Sequence, residues 1–170
     1  MEQRQKAKLK CFQINLQHSW AATDNLMQII SSENIDIAFV QEPYVHQNRI
    51  KGITGNYRIY AYGKERSRAA IIIPNDTIDA LMITQCSDKN IVLLEIKVGQ
   101  ATFYTASAYM DYKDAIVNSF KKIERILEFT KGAKIILAKI ATQDQLHGMT
   151  LQQMNEEESW KNSLQAISYT

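Results

Sequence analysis

Cysteine is scarce. The 170-residue chain holds two, Cys11 and Cys86, far apart in sequence and without metal-ligand spacing. A disulfide framework and a cysteine-based metal centre are therefore excluded, and two lone thiols suit a reducing compartment. Long apolar runs are lacking too. None approaches the roughly 20 residues that a membrane-spanning helix needs. The opening residues, Met1-Glu2-Gln3-Arg4-Gln5-Lys6, contain no apolar core of a signal peptide. The expectation is a nuclear or cytoplasmic protein, not secreted, with no membrane partner. Internal repeats and low-complexity tracts are also absent. What remains is ordinary: 45% apolar and 22% charged residues fit a soluble globular protein, and the length fits one domain or part of a larger one.

Net charge is small, +2, but uneven. From residue 140 onward, Asp144, Glu156, Glu157 and Glu158 face only Lys161, which leaves −3 there and +5 on residues 1–139. Arg4, Lys6, Lys8 and Lys10 crowd the start, and Lys64, Arg66 and Arg68 crowd the middle. Basic clusters suit a polyanion, although solvated surface residues read equally well for the first cluster.

The chain is organised around Ile35-Asp36-Ile37-Ala38-Phe39-Val40-Gln41-Glu42-Pro43-Tyr44. An apolar run bounded by polar residues predicts a strand over 35–41, buried on both faces. Proline cannot donate to a ladder, so the strand stops near Pro43. Glu42 then stands at its C-terminal end, where layered α/β proteins gather their ligand sites. A buried carboxylate there needs a partner or a cation; the plain alternative is a solvated Glu opening a loop.

Residues 9–16 read as a first strand ending at Asn15. Ser19 is a helix N-cap, and Ala22, Leu26, Met27, Ile29 and Ile30 recur at helical spacing over 20–33. Strand, helix and strand make a βαβ unit with parallel strands. Asn15 and Glu42 are therefore expected side by side. Residues 45–56 read as a polar loop. Strands follow over 57–62, 69–73, 78–84, 91–98 and 101–109, as an antiparallel meander with a turn at Gly99-Gln100. An amphipathic helix covers 114–131, with Gly132 just past its end. A short strand covers 134–138. The tail, 139–170, is polar and weakly periodic, with one candidate helix near 151–157.

Four of these stretches also carry a resemblance. They are Gln13-Ile14-Asn15-Leu16-Gln17-His18-Ser19 after a strand start, Val40-Gln41-Glu42-Pro43-Tyr44, Arg66-Ser67-Arg68-Ala69-Ala70 before a strand, and Ser107-Ala108-Tyr109-Met110 at a strand end. In this order they are similar to the endonuclease/exonuclease/phosphatase superfamily, with its deoxyribonuclease-I-like fold. More narrowly they resemble the apurinic-type endonuclease domain of insect-type non-LTR retrotransposons. The resemblance spans residues 9–138, as the N-terminal part of such a domain, with 139–170 a divergent tail. It implies an α/β fold, a four-layer sandwich of two facing sheets with helices outside. It implies Mg2+-dependent hydrolysis of a DNA phosphodiester, with DNA as partner and no small-molecule cofactor. Glu42 would be the main ligand of one divalent ion, assisted by Asn15. Tyr109 would support the scissile phosphate, and Arg66 and Arg68 would lie near the DNA backbone. His18 reads as a surface residue, because the family's essential histidine comes near the end of the domain.

The match then breaks. Where the family presents Asp-x-Asn after its last short strand, this chain has Ile140-Ala141-Thr142. Isoleucine has no proton acceptor, and threonine is a weak oxygen donor. The closing Ser-Asp-His motif is absent, as are the later strands of the second sheet. The implied outcome is a truncated, inactive endonuclease domain. A non-catalytic nucleic-acid-binding module and a small phosphoesterase of the same superfamily are the alternatives. An incomplete second sheet also predicts an uncovered inner face on the first, and marginal folding.

Overall fold

The stretch expected to be buried on both faces is so in the computed structural model, which describes residues 9–110 and 116–140. Strand β2 (Ile37–Gln41) is buried at all five positions. It pairs in parallel with β1 (Cys11–Asn15), in a register running from Cys11 opposite Ile37 to Asn15 opposite Gln41. Helix α1 (Trp20–Glu33) connects them. The Ser19 hydroxyl accepts the Ala22 N–H at 3.2 Å, which satisfies one of the first-turn donors. Asn34, in the left-handed region at φ 51°, closes the other end by donating to the Ile30 carbonyl.

The expected loop over 45–56 is not wholly loop. It holds a small hairpin of β3 (Val45–His46) and β4 (Arg49–Ile50). Gln47 and Asn48 both take positive φ, 50° and 57°, which is the two-residue turn that matches strand twist. The usual signal for it, Asn-Gly, is missing, so the sequence conceals it.

The antiparallel meander is divided between two sheets. Strands β5 (Arg58–Ala61) and β6 (Ala69–Ile73) join the first sheet, in the order β1-β2-β6-β5. Strands β7 (Asp79–Met82), β8 (Ile91–Val98) and β9 (Ala101–Tyr109) build the second. Because β6 already has β2 and β5 on its two edges, the chain leaving Pro74 finds no edge there and crosses to start a new sheet. Helix α2 (Ile116–Phe129) then returns to β10 (Ile135–Ile140), parallel to β9, giving the order β10-β9-β8-β7.

Period-two alternation sorts the side chains into layers. Ile37, Phe39, Ile71 and Ile73 of the first sheet meet Val92, Leu94 and Ile96 of the second in one core. Ala38, Val40, Ala70 and Ile72 point the other way, onto Leu26 and Ile30 of α1. Leu93, Ala106 and Ala108 pack against Ile126 of α2. The result is an α/β sandwich of four layers, as expected. The predicted bare inner face is not found at these residues, because the two four-stranded sheets cover each other. The helix predicted near 151–157, the start of the 114–131 helix and most of the 139–170 tail lie outside the described residues.

One seam is thinner. The edge strands β1 and β10 run side by side, with a crevice lined by Cys11, Gln13, Phe39, Ile136 and Ala138. Gln13 Nε2 bridges it by donating to the Lys139 carbonyl at 3.1 Å. Burial, then the nearby Asp36 carboxylate, pushes the Cys11 thiol up to about 11. Only about one in a thousand such thiols is ionised at pH 8, and the thiolate is the reactive form. Cys86 is also raised by burial, but Arg125 opposes the shift. Iodoacetamide at pH 8 is therefore expected to label Cys86 first, with Cys11 slower by at least about tenfold. Peptide mass spectrometry over time reads this directly, and equal rates would mean that the seam opens freely to water.

Candidate functional site

Strand ends of both sheets meet on one rim of the sandwich. The C-terminal ends of β1, β2, β9 and β10 lie there, with the N-terminal ends of β6 and β8. The register fixes this: Asn15 is opposite Gln41, Gln41 opposite Ala69, Ile91 opposite Ala108, and Ile140 opposite Tyr109. Backbone bonds tie the sheets together at this end: the Arg68 and Ala69 N–H groups donate to the Lys89 carbonyl at 2.6 and 3.2 Å, while within the second sheet the Tyr109 N–H donates to the Asn90 carbonyl at 2.8 Å.

Glu42 is held by its own backbone. Its N–H donates to the Arg68 carbonyl and its carbonyl accepts the His18 N–H, each at 2.8 Å. Its φ is 46°, a left-handed value that costs a β-carbon residue about 1 kcal/mol or more. The tip of β2 therefore no longer alternates regularly, and the carboxylate ends 19% exposed at the rim. Asn15 sits at the neighbouring tip. Its Oδ1 accepts the Gln17 N–H at 2.9 Å, which anchors the amide and leaves a second lone pair on that oxygen.

His18, set aside in the sequence reading, is brought into this group. Its Nε2 lies 3.6 Å from Glu42 Oε1, and its Nδ1 is 3.1 Å from the Pro43 carbonyl. The cause is local: Gln17 and His18 both take positive φ (48° and 57°), and the Ser19 N–H closes the turn on the Leu16 carbonyl at 2.8 Å. No motif announces such a turn. Only the parallel register shows that it folds toward Pro43.

Tyr109 is buried on the same rim, 6% exposed. The Arg68 guanidinium carbon stands 5.3 Å from its ring centroid, within cation–π range. Arg66, two residues earlier, is exposed on the turn before β6. The two arginines named together from the sequence therefore stand in different places, one at the rim and one on the open surface. Behind Glu42 and Tyr109 the sheets are pinned by buried polar groups: Gln41 Nε2 donates to Ser107 Oγ at 2.9 Å, and Ser107 Oγ donates to the Val40 carbonyl at 3.3 Å. Gln41 Oε1 and Asn90 Oδ1 are buried and accept no hydrogen bond from the protein. Unmet buried acceptors cost about 1–3 kcal/mol each and cluster here at the rim.

Among the described residues no group of three His, Cys, Asp or Glu side chains gathers to hold a metal, so the donor set is not that of a zinc cage. Glu42 and Asn15 present two hard oxygens at adjoining strand tips. Magnesium keeps most of its waters and takes one or two carboxylates from the protein, so this donor set fits it.

No protein-family model and no curated protein sequence matches the chain. Solved structures do. The endonuclease domain of TRAS1, a telomere-specific non-LTR retrotransposon, is 22% identical, with a TM-score of 0.67 over 83% of this chain and 68% of that one. The fold is that of the endonuclease/exonuclease/phosphatase proteins. A family protein of that name from Bacteroides thetaiotaomicron is 19% identical, with a TM-score of 0.59 over 77% of this chain and 62% of that one. TDP2 of D. rerio, complexed with a single-strand DNA product, is 13% identical, with a TM-score of 0.55 over 86% of this chain and 67% of that one.

Proposed function

We propose that this chain is a retroelement-derived DNA endonuclease domain that keeps the cation-binding and phosphate-binding part of a Mg2+-dependent site and has lost hydrolysis. The observation that carries the reading is the register of Asn15 opposite Gln41, which brings Asn15 beside Glu42, on the rim that Tyr109 and Arg68 share. The likeness to a retrotransposon endonuclease domain supports it. Glu42 and Asn15 would hold the ion. A bound magnesium ion offsets charge on the phosphate and the leaving oxygen. Arg68 lies over the Tyr109 ring and steadies it against the phosphate position. The Asp that the resemblance expects is replaced by Ile140, and His18, the imidazole on this rim, stands between the Glu42 carboxylate and the Pro43 carbonyl and does not take its place in this reading. The polar Arg66 surface adds a contact for the DNA backbone. Nucleus or cytoplasm is the proposed location.

Manganese stands in for magnesium as a spectroscopic probe. Glu42→Ala is expected to weaken Mn2+ binding, measured by electron paramagnetic resonance, by at least about tenfold, because the one carboxylate of the donor set is removed. Asn15→Ala should weaken it less. An unchanged affinity in Glu42→Ala would take Glu42 out of the site. DNA binding that falls steeply with salt, without cleavage, separates this reading from a small phosphoesterase.

A further inference from the structure

Trp20 is 57% exposed, and it stands two residues from His18 at the start of α1. Tyr44, two residues past Glu42, meets it edge-on, with ring centroids 5.3 Å apart and planes at 87°. The β3–β4 hairpin folds back beneath the pair. The Lys51 N–H donates to the Tyr44 carbonyl at 3.0 Å. Gly52 then lies so close to α1 that an added Cβ would come 2.9 Å from Thr23 Cγ2 and 3.4 Å from Trp20 Cζ3. The hairpin segment from Val45 to Lys51 carries His46, Arg49 and Lys51, all exposed, and no carboxylate. An exposed indole fixed by a second ring, with two cations on the adjoining hairpin, is the chemistry of a stacking platform for an unpaired base with its phosphates nearby.

We infer that Trp20, braced by Tyr44, stacks one unpaired base of a single-stranded DNA segment, and that Arg49 and Lys51 meet the phosphates beside it. The inference rests on the DNA-binding part of the proposed function and adds a subsite outside the Asn15–Glu42–Tyr109 rim. It commits to a base rather than an apolar partner because the hairpin that leads to Gly52, against the Trp20 ring, carries exposed Arg49 and Lys51 and no carboxylate.

The chain has two tryptophans, Trp20 and Trp160, so the test uses a Trp160→Phe background with a short oligothymidylate as probe. Titration is expected to quench the remaining emission. Trp20→Ala should weaken binding by about tenfold, a typical loss for one stacked base, and leave the slope of affinity against salt unchanged, because no phosphate contact is removed. Trp20→Phe should recover most of the loss, which a change that merely disturbed the helix start would not do. Lys51→Ala should instead lower the salt slope. An abasic oligonucleotide of equal length should bind the parent and Trp20→Ala alike. If the parent binds oligothymidylate and Trp20→Ala binds it equally well, the stacking inference fails and the DNA reading stands. If the parent binds no DNA at any salt, both fail. A concentration-dependent dimer that Trp20→Ala abolishes, with oligonucleotide affinity intact, would make the ring pair a contact between copies and overturn the inference.

Discussion

Supercoiled plasmid kept with this protein and magnesium is expected to stay supercoiled. Hydrolysis of a phosphodiester needs an oriented, activated water as well as charge neutralisation. On the function proposed above, the rim keeps the means for the second and has lost the means for the first. Ile140 takes the place opposite Tyr109 where the resemblance puts an Asp, and its side chain can neither accept a proton nor orient a water. Losing a general base costs about two to four decades in rate. Losing a phosphate-stabilising donor, as the Thr142 for Asn exchange implies, costs about two to three more. Cleavage should therefore fall by at least about four decades from an intact site, below detection on a gel. The outcome that overturns this is plain: magnesium-dependent nicking that Glu42→Ala abolishes.

The second large effect concerns the core that holds the rim together. Ile71→Ala is expected to destabilise the protein by roughly 4 kcal/mol, within the range for deleting a fully buried isoleucine side chain. Ile71 is wholly buried on β6, between Phe39 on β2 and Tyr60 on β5 in the ladder, and it faces the second sheet. Neighbours on all sides leave little room for collapse into the gap. Domains of this size are stable by about 5–15 kcal/mol, so the loss is a large fraction of the whole. Urea unfolding followed by circular dichroism should show the midpoint falling with little change in slope. A shift of less than about 1 kcal/mol would mean that the two sheets do not share one tightly packed core.

The two effects are linked. Glu42 rides on the first sheet and Tyr109 on the second, and the apolar contact between sheets sets their separation. The Gln41–Ser107 hydrogen bond fixes it at the rim.

Several elements were legible from the sequence to the residue. The helix Trp20–Glu33 announces itself by Ser19 and by apolar spacing; β6, β8 and β9 announce themselves as apolar or alternating runs bounded by Pro74, Gly99 and Gln100. Other features were hidden. The β3–β4 hairpin turns on Gln47 and Asn48; Asn favours positive φ but Gln does not, and no glycine completes the usual signal. The division of the meander was hidden because antiparallel pairing leaves the same alternation whichever sheet a strand joins. His18 was hidden because its approach to Glu42 depends on a turn between two parallel tips.

Apart from the β3–β4 hairpin, the sequence by itself determined which segments form the strands and helices, which faces they bury, and that Asn15 and Glu42 end adjacent parallel strands. Those outcomes follow from local periodicity, capping and the handedness of a βαβ crossover, all of which act over short stretches of chain. Only the tertiary structure decided that β5 and β6 leave β7 to a second sheet, that His18 faces Glu42, that Arg68 covers Tyr109 while Arg66 does not, and that Trp20 meets Tyr44. Each of these is a contact between segments far apart in sequence. Their closeness is set by how two sheets pack over a shared apolar core, which no short run of residues encodes.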